Sequence, residues 1–160
     1  MYTKQNLIDM VSNEFRIIKH LAEKIPADTE GYKPTEGQRT TLELLQYLAS
    51  IFGSMAKVIY ANDTSVYGTA PETTFENFPA LMDAQLAELT TTINQFTDED
   101  METVMNLYGQ GEKTKGVYLV ESLLKFTSAY KMQLFLYIKA SGNTSLGTSN
   151  LWGGMDMPVK

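Results

Sequence analysis

Few side chains in this sequence are suited to catalysis or metal binding. The chain contains no cysteine and one histidine, His20. A bound transition metal needs three or four converging ligands from His, Cys, Asp and Glu. Glu23 is three residues from His20, but no Glu-x-x-His pair completes a di-metal pattern, and nothing near His20 resembles the nucleophile turn of a Ser-His-Asp triad. The sequence therefore predicts a structural or solvent-facing His20 and no metal site.

Two loop segments suggest ligand binding but are more typical of turns. Residues 109–114 read Gly-Gln-Gly-Glu-Lys-Thr, and Glu112 interrupts the Gly-Lys-Ser/Thr sequence that a phosphate-binding loop requires. We interpret this segment as a glycine-rich hairpin turn. The acidic run at 98–100 could bind a cation. Such runs more often form solvated turns or lie near the start of the next element.

Aromatic side chains form the remaining group of interest. Tyr47 lies in one helical pattern, and Phe126, Tyr130 and Tyr137 lie in another. Phe126 and Tyr130 are four residues apart and therefore share a helix face. An aromatic cluster between helices usually belongs to the core, where its phenol hydroxyls need partners such as Gln133.

Four helical patterns must position these residues. Hydrophobic residues recur at spacings of three and four over residues 4–24, 41–61, 79–96 and 117–140. Thr40 and Glu43 form a capping box at the second helix, and Gly142 suits the end of the fourth. These amphipathic helices predict an all-α four-helix bundle with long crossover loops. The glycines of residues 109–111 predict a short β-ribbon between helices 3 and 4.

The length and apolar content fit one domain followed by a tail. The chain has 160 residues, which is typical of a single domain. We expect the bundle to occupy residues 1–142 and a tail to occupy residues 143–160. The tail contains four large apolar residues and is therefore expected to pack on the bundle or on a partner: Leu151, Trp152, Met155 and Met157.

Charge and hydropathy disfavour two classes of partner. The formal net charge is −6 and the sequence pI is about 4.8, with lysine and arginine scattered along the chain. Nucleic-acid binding requires a basic patch, so no DNA or RNA partner is expected. The first residues lack the features of a secretory signal, and no run of about 18 apolar residues is present. We therefore expect no membrane association and a cytoplasmic location.

Two helical segments resemble the DinB-like family of four-helix bundles. Residues 39–48, Arg-Thr-Thr-Leu-Glu-Leu-Leu-Gln-Tyr-Leu, are similar to the family's second-helix segment. Residues 126–134, Phe-Thr-Ser-Ala-Tyr-Lys-Met-Gln-Leu, resemble its fourth-helix signature, His-x-x-x-His-Arg-x-Gln-Leu. Residues 97–101 and Gly142 also match in place, and the resemblance covers nearly the whole chain. It implies the bundle fold, a metal held by three histidines, and activities that include thiol-dependent S-transfer.

The chain departs from the family pattern at the metal. The resemblance places Tyr47, Phe126 and Tyr130 at the three histidine positions and Lys131 at the arginine, whereas Gln133 is retained. Phenylalanine cannot ligate, and a phenol with a pKa of about 10 ligates well only as phenolate. We therefore expect no cofactor and assign no catalytic residue. The predicted ligand-binding residues are Tyr47, Phe126, Tyr130 and Gln133.

Three functions remain open. In the first, the lost metal site is either an aromatic pocket for a small ligand or filled core, and the protein is non-catalytic. In the second, the protein is an enzyme related to the thiol-dependent S-transferases that works without metal, with Tyr47, Tyr130, Lys131 and Gln133 as acid or orienting groups. In the third, it is an interaction module, and family analogy favours a homodimer.

Overall fold

The helices assemble into an all-α bundle, which confirms the predicted fold class. The computed structural model describes residues 3–157. Helices α1 and α3 each pack against α4 and α6, so the order around the bundle is α1, α6, α3, α4. The elements are α1 (Lys4–Ala22), α2 (Thr41–Leu48), α3 (Ile51–Ala61), α4 (Phe78–Gln95), α5 (Asp98–Glu102), β1 (Val104–Asn106), β2 (Glu112–Thr114) and α6 (Lys115–Ala140).

Local capping and apolar seams account for the long helices. The Thr3 hydroxyl accepts a hydrogen bond from the Asn6 amide, and Thr40 and Glu43 form the predicted capping box at α2. Apolar side chains of α1 and α3 meet in the core, where the rings of Phe15 and Phe52 lie 5.1 Å apart. The central buried side chains therefore join helices that are not neighbours around the bundle.

The predicted second helix is divided into α2 and α3 at residues 49 and 50. Ser50 adopts φ −133° and ψ −30°, and its side chain makes no cap hydrogen bond. A buried side chain of α4, Gln85, provides the cap instead. Its Oε1 accepts from the amides of Phe52 (3.0 Å) and Gly53 (3.1 Å), and its Nε2 donates to the Leu48 carbonyl (2.8 Å). The prediction of one continuous helix over residues 41–61 is therefore wrong, because the helix is interrupted at its centre.

A short helix and a ribbon connect α4 to α6. Thr97 caps α5, whose first turn carries the acidic run. Strands β1 and β2 pair antiparallel, with Met105 opposite Lys113, which confirms the predicted ribbon. The turn between them includes Gly109 (φ +70°) and Gly111 (φ +95°), a region of backbone space that favours glycine. The ribbon leads directly into α6.

The segment after α6 folds back onto α1. Arg16 donates to the carbonyls of Gly153 (2.8 Å) and Gly154 (3.0 Å). Leu146 and Leu151 are buried, whereas Trp152 is 62% exposed. The prediction for the tail covers residues 143–160, of which 158–160 lie outside the described residues.

One helical stretch resembles a membrane span in length and composition. The stretch Thr41–Ala61, which includes α2 and α3, is long and apolar enough to cross a bilayer. In its most apolar 18-residue segment, however, 67% is buried inside the bundle. Such burial is typical of a core helix of a soluble protein.

Candidate functional site

The aromatic residues singled out from the sequence meet where α2 approaches α6. Tyr47 lies near the end of α2, and Phe126 and Tyr130 lie one turn apart on α6. The ring centroids of Tyr47 and Tyr130 are 4.9 Å apart, and those of Phe126 and Tyr130 are 6.2 Å apart. The Tyr130 hydroxyl makes a long hydrogen bond, 3.4 Å, to the Tyr47 hydroxyl. Three of the four predicted site residues are therefore neighbours.

A cavity of about 220 Å³ opens beside this cluster. Tyr47 and Phe126 line it, whereas Tyr130 and Gln133 do not. The break between α2 and α3 matters here, because it sets the direction of α3 and hence of the side chains that α3 contributes to the wall. The lining comprises Tyr47, Ile51, Met55, Tyr67, Leu107, Tyr108, Gln110, Tyr118, Ser122 and Phe126.

The turn of the β-ribbon covers one side of the cavity and is held by Tyr118. This buried phenol accepts from the Leu107 amide (3.2 Å) and donates to the Gly111 carbonyl (2.6 Å). Both bonds tie the ribbon turn to the first turns of α6. Tyr108, at φ +53°, remains 57% exposed at the rim.

Burial disfavours the ionisation of two phenols of the cavity wall, those of Tyr47 and Tyr67. Burial raises the pKa of Tyr47 above its ordinary value, and its hydrogen bond with Tyr130 acts in the same direction. Burial also raises the pKa of Tyr67. The lining contains no carboxylate, amine or imidazole. The cavity is therefore uncharged, with hydroxyl groups as its main polar atoms.

Arg39 lies at the edge of the aromatic cluster, just before α2. Its guanidinium carbon is 4.1 Å from the centroid of the Tyr47 ring, a stacking distance at which a cation is attracted to an aromatic face. The Arg39 carbonyl accepts from the Tyr137 hydroxyl (3.0 Å), which itself accepts from Gln133 Nε2 (3.1 Å). Gln133 therefore contributes to the site indirectly, through the backbone of Arg39.

The fold has a counterpart among solved structures. No protein-family model matches this chain. In sequence it is 27% identical, over 131 residues, to the uncharacterised protein YjoA of Bacillus subtilis (strain 168), a match that covers 81% of this chain and 85% of YjoA. The crystal structure of YjoA, described as a DinB-like protein, matches at a TM-score of 0.70 with 23% identity, covering 88% of this chain and 95% of YjoA. This chain has the DinB-like fold. The resemblance drawn from its two helical segments is thereby confirmed.

The three residues that the sequence resemblance aligns with metal-binding histidines do not suit a metal. Phe126 has no donor atom, and the raised pKa of Tyr47 disfavours the phenolate that ligation would need. Within residues 3–157, no group of three His, Asp or Glu side chains is placed to hold a metal ion. His20, on α1, contacts the tail: its Nε2 lies 3.1 Å from the side-chain nitrogen, Nδ2, of Asn150.

Lys131, which the sequence resemblance aligns with an arginine, faces α1 rather than the cavity. Its ammonium group is buried and pairs with Glu14 at 2.6 Å. The same ammonium lies 4.9 Å from the centroid of the Trp152 ring. Lys131 therefore joins α6, α1 and the tail, and it does not line the cavity.

Several lining residues were not identified from the sequence. Tyr67 lies in the loop between α3 and α4, and Tyr118 and Ser122 lie two turns and one turn before Phe126 on α6. The spacing of Tyr118, Ser122 and Phe126 at intervals of four residues was an available signal, because such residues share one helix face. No comparable signal marks Tyr67, whose place depends on how its loop folds.

Proposed function

We propose that this protein binds a small molecule with a compact apolar body, and that it does so without catalysis at a degenerate metal site. The observation that carries the proposal is the composition of the cavity beside Tyr47 and Phe126. Five aromatic rings line it, and none of its lining side chains is charged at neutral pH. An apolar concave site with a few oriented polar groups is the usual form of a small-ligand site.

The volume of the cavity limits the size of the ligand. A cavity of about 150 Å³ lined by apolar side chains is known to hold benzene. At about 220 Å³, this one accommodates a single ring with a short substituent, or an aliphatic body of similar size. Larger ligands would have to extend past the mouth into solvent.

The properties of the phenols favour binding over catalysis. A general base that operates near neutral pH needs a pKa close to that pH. The pKa of Tyr47 is instead raised by burial, and its hydroxyl accepts a hydrogen bond from the Tyr130 hydroxyl. The enzyme alternative, a metal-free relative of the S-transferases, therefore lacks an activated group in this cluster.

A cavity-filling substitution tests the proposal. Ser122 lines the cavity, and Ser128 is exposed on the same helix. Ser122→Leu should fill much of the space and abolish binding of toluene, indole and 4-ethylphenol in ligand-observed NMR. Ser128→Leu makes the same chemical change at the surface and should leave binding intact. Circular dichroism checks that both variants remain folded.

Two outcomes would contradict the proposal. If wild type binds none of the three compounds, or if Ser122→Leu binds them as wild type does, the cavity is not the binding site. Native mass spectrometry of freshly purified protein provides the second test. One transition-metal ion per chain would make the metalloenzyme hypothesis the favoured one. A co-purifying organic molecule would identify the chemical class of the ligand.

The remaining expectations about partners stay predictions. A homodimer is expected by family analogy, and the exposed apolar residues Trp152 and Met155 are the surface that we expect it to cover. Sedimentation equilibrium measures this directly. The net charge of −6 supports the absence of a nucleic-acid partner, and the lack of cysteine fits a cytoplasmic location.

A further inference from the structure

Ser122, on α6, is a buried polar residue in the wall of the aromatic cavity. It is 8% exposed, and it lines the cavity. We propose that the Ser122 hydroxyl donates a hydrogen bond to an oxygen atom of the ligand, so that the protein selects uncharged molecules whose apolar body carries a carbonyl or hydroxyl group. This inference rests on the proposed function. It adds the polar group of the ligand and the residue that recognises it.

The hydroxyl of Ser122 is not used within the part of the chain that the structure describes. A serine or threonine inside a helix often donates to a carbonyl three or four residues earlier. Thr127, on the same helix, does so to the carbonyls of Leu123 (2.7 Å) and Leu124 (3.2 Å). Ser122 makes no such bond, and its Oγ is not fully enclosed by protein atoms. This oxygen therefore borders the space of the cavity, where a ligand can reach it.

The other hydroxyl groups of the cavity wall are either paired or exposed to solvent. The Tyr118 hydroxyl accepts one hydrogen bond from the ribbon turn and donates another to it. The Tyr47 hydroxyl accepts a hydrogen bond from α6. Tyr67 and Tyr108 are exposed, so water can solvate their phenol groups. A ligand enclosed by the cavity therefore meets a buried and unpaired hydroxyl at Ser122.

Ser122 lies between two aromatic residues on one face of α6. Tyr118 precedes it by four residues and Phe126 follows it by four, so each is about 6 Å away along the helix axis. Helix α3 packs against α6 and contributes Ile51 and Met55 to the wall. A ring with a short substituent can therefore contact aromatic and aliphatic side chains while its oxygen reaches the serine.

A ligand that fills the cavity excludes water from the Ser122 hydroxyl. An oxygen atom on the ligand replaces the lost hydrogen bond, whereas an apolar ligand of the same shape leaves the hydroxyl without a partner. The net gain from a neutral hydrogen bond is modest, but a buried polar group left unpaired is costly. The preference for an oxygen-bearing ligand should therefore come mainly from the penalty on the ligand that lacks the oxygen.

The surroundings of Ser122 disfavour a charged ligand. None of the lining side chains carries a charge that could pair with one, and the transfer of an unpaired charge out of water is costly. The burial that raises the pKa of Tyr47 and Tyr67 also disfavours a negative charge on a ligand beside them, and the opposite effect of the Arg39 charge on the two pKa values is smaller. An uncharged oxygen therefore suits this cavity better than a carboxylate or an amine.

Three probes of nearly the same shape test the inference. Acetophenone, α-methylstyrene and benzoate share a phenyl ring on a trigonal carbon, which carries a carbonyl oxygen, a methylene group or a carboxylate charge. Their dissociation constants are measured by ligand-observed NMR titration. Ser122→Ala should weaken acetophenone binding about 3- to 10-fold and leave α-methylstyrene within about 2-fold of wild type. Wild type should bind benzoate about 10-fold or more weakly than acetophenone, because the carboxylate finds no partner.

A matched control separates recognition by Ser122 from a general effect of removing a buried hydroxyl. Ser54, on α3, is similarly buried, at 7% exposure, and does not line the cavity. Ser54→Ala should leave the affinities for acetophenone and α-methylstyrene as in wild type. The ratio of the two affinities is compared between proteins, because this comparison cancels the greater hydrophobicity of α-methylstyrene.

The outcomes distinguish this inference from the proposed function. If Ser122→Ala weakens acetophenone no more than α-methylstyrene, or if wild type binds benzoate as tightly as acetophenone, the inference is overturned while the binding function stands. An equal change of the ratio in Ser54→Ala also overturns it. If wild type binds none of the three probes, the binding function fails as well. A selective loss of acetophenone affinity in Ser122→Ala alone supports the inference.

Discussion

Replacing Gln85 by leucine should destabilise the protein more than any other single polar substitution that we consider. Gln85 is 5% exposed and bridges from α4 to the break between α2 and α3. In Gln85→Leu, the amides of Phe52 and Gly53 and the carbonyl of Leu48 lose their partner. Water has little access to these groups, because the surrounding residues are buried.

The loss of folding free energy in Gln85→Leu comes from the backbone groups that remain buried without a partner. Each buried polar group left without a partner costs about 1–3 kcal/mol, and Gln85 serves three such backbone groups. Leucine also avoids the cost of burying an amide side chain, so we expect a net loss of about 3–5 kcal/mol. A domain of this size has a total stability of about 5–15 kcal/mol. The melting temperature should fall by about 6–20 °C.

Urea denaturation followed by circular dichroism measures this loss. Gln95→Leu is the matched control, because Gln95 is exposed at the end of the same helix. The control should remain within about 0.5 kcal/mol of wild type. If Gln85→Leu loses no more stability than the control, the side chain of Gln85 does not hold the break. Ligand binding offers a second measurement, since the break orients Tyr47 relative to Ile51 in the cavity wall.

Three further predictions concern single hydroxyl and carboxyl groups. Tyr137→Phe leaves the Arg39 carbonyl without its donor and should cost about 1–2 kcal/mol in urea denaturation. Because the folded-state pKa of Tyr47 is raised, its stabilising contribution is complete below about pH 10 and is lost as the pH rises further; Tyr47→Phe should flatten this alkaline loss. The pKa of Asp156 is lowered, chiefly by the Lys24 hydrogen bond, so its tail contact should weaken as the pH falls below about 4. Asp156→Asn should remove that acid-dependent change in the fluorescence of the single tryptophan.

Each of these predictions has a clear contrary result. A Tyr137→Phe variant as stable as wild type would mean that the Arg39 carbonyl finds another partner. Parallel alkaline transitions in wild type and Tyr47→Phe would assign the loss of stability to other groups. If the tryptophan signal of Asp156→Asn still changes at acid pH as in wild type, the tail is not held by this carboxylate.

The features predicted correctly from the sequence depend on neighbours along the chain. The threonines that cap α1 and α2 act on amides three residues away, and the apolar seams repeat every three or four residues. Such local interactions depend on residues only three or four positions apart, so a short stretch of sequence is enough to predict them. The same holds for the β-ribbon, whose turn needs Gly109 and Gly111.

The break at residues 49 and 50 shows why other features could not be predicted. Residues 41–61 are apolar on several faces, so their pattern alone predicts one continuous helix. The cap that allows the interruption comes from Gln85, more than thirty positions further along the chain. Nothing in the sequence pairs Gln85 with Leu48, because that contact exists only after α4 packs on α3.

For the candidate site, the sequence by itself determined the chemistry that is absent, and the tertiary structure decided the geometry that is present. One histidine and no cysteine exclude a site of three histidines or of thiolates from one chain, whatever the fold. The cavity, by contrast, is formed by residues from α2, α3, α6, the ribbon turn and the loop that carries Tyr67. Their convergence, and the place of Arg39 beside them, follow from the packing of distant segments, which no local spacing encodes.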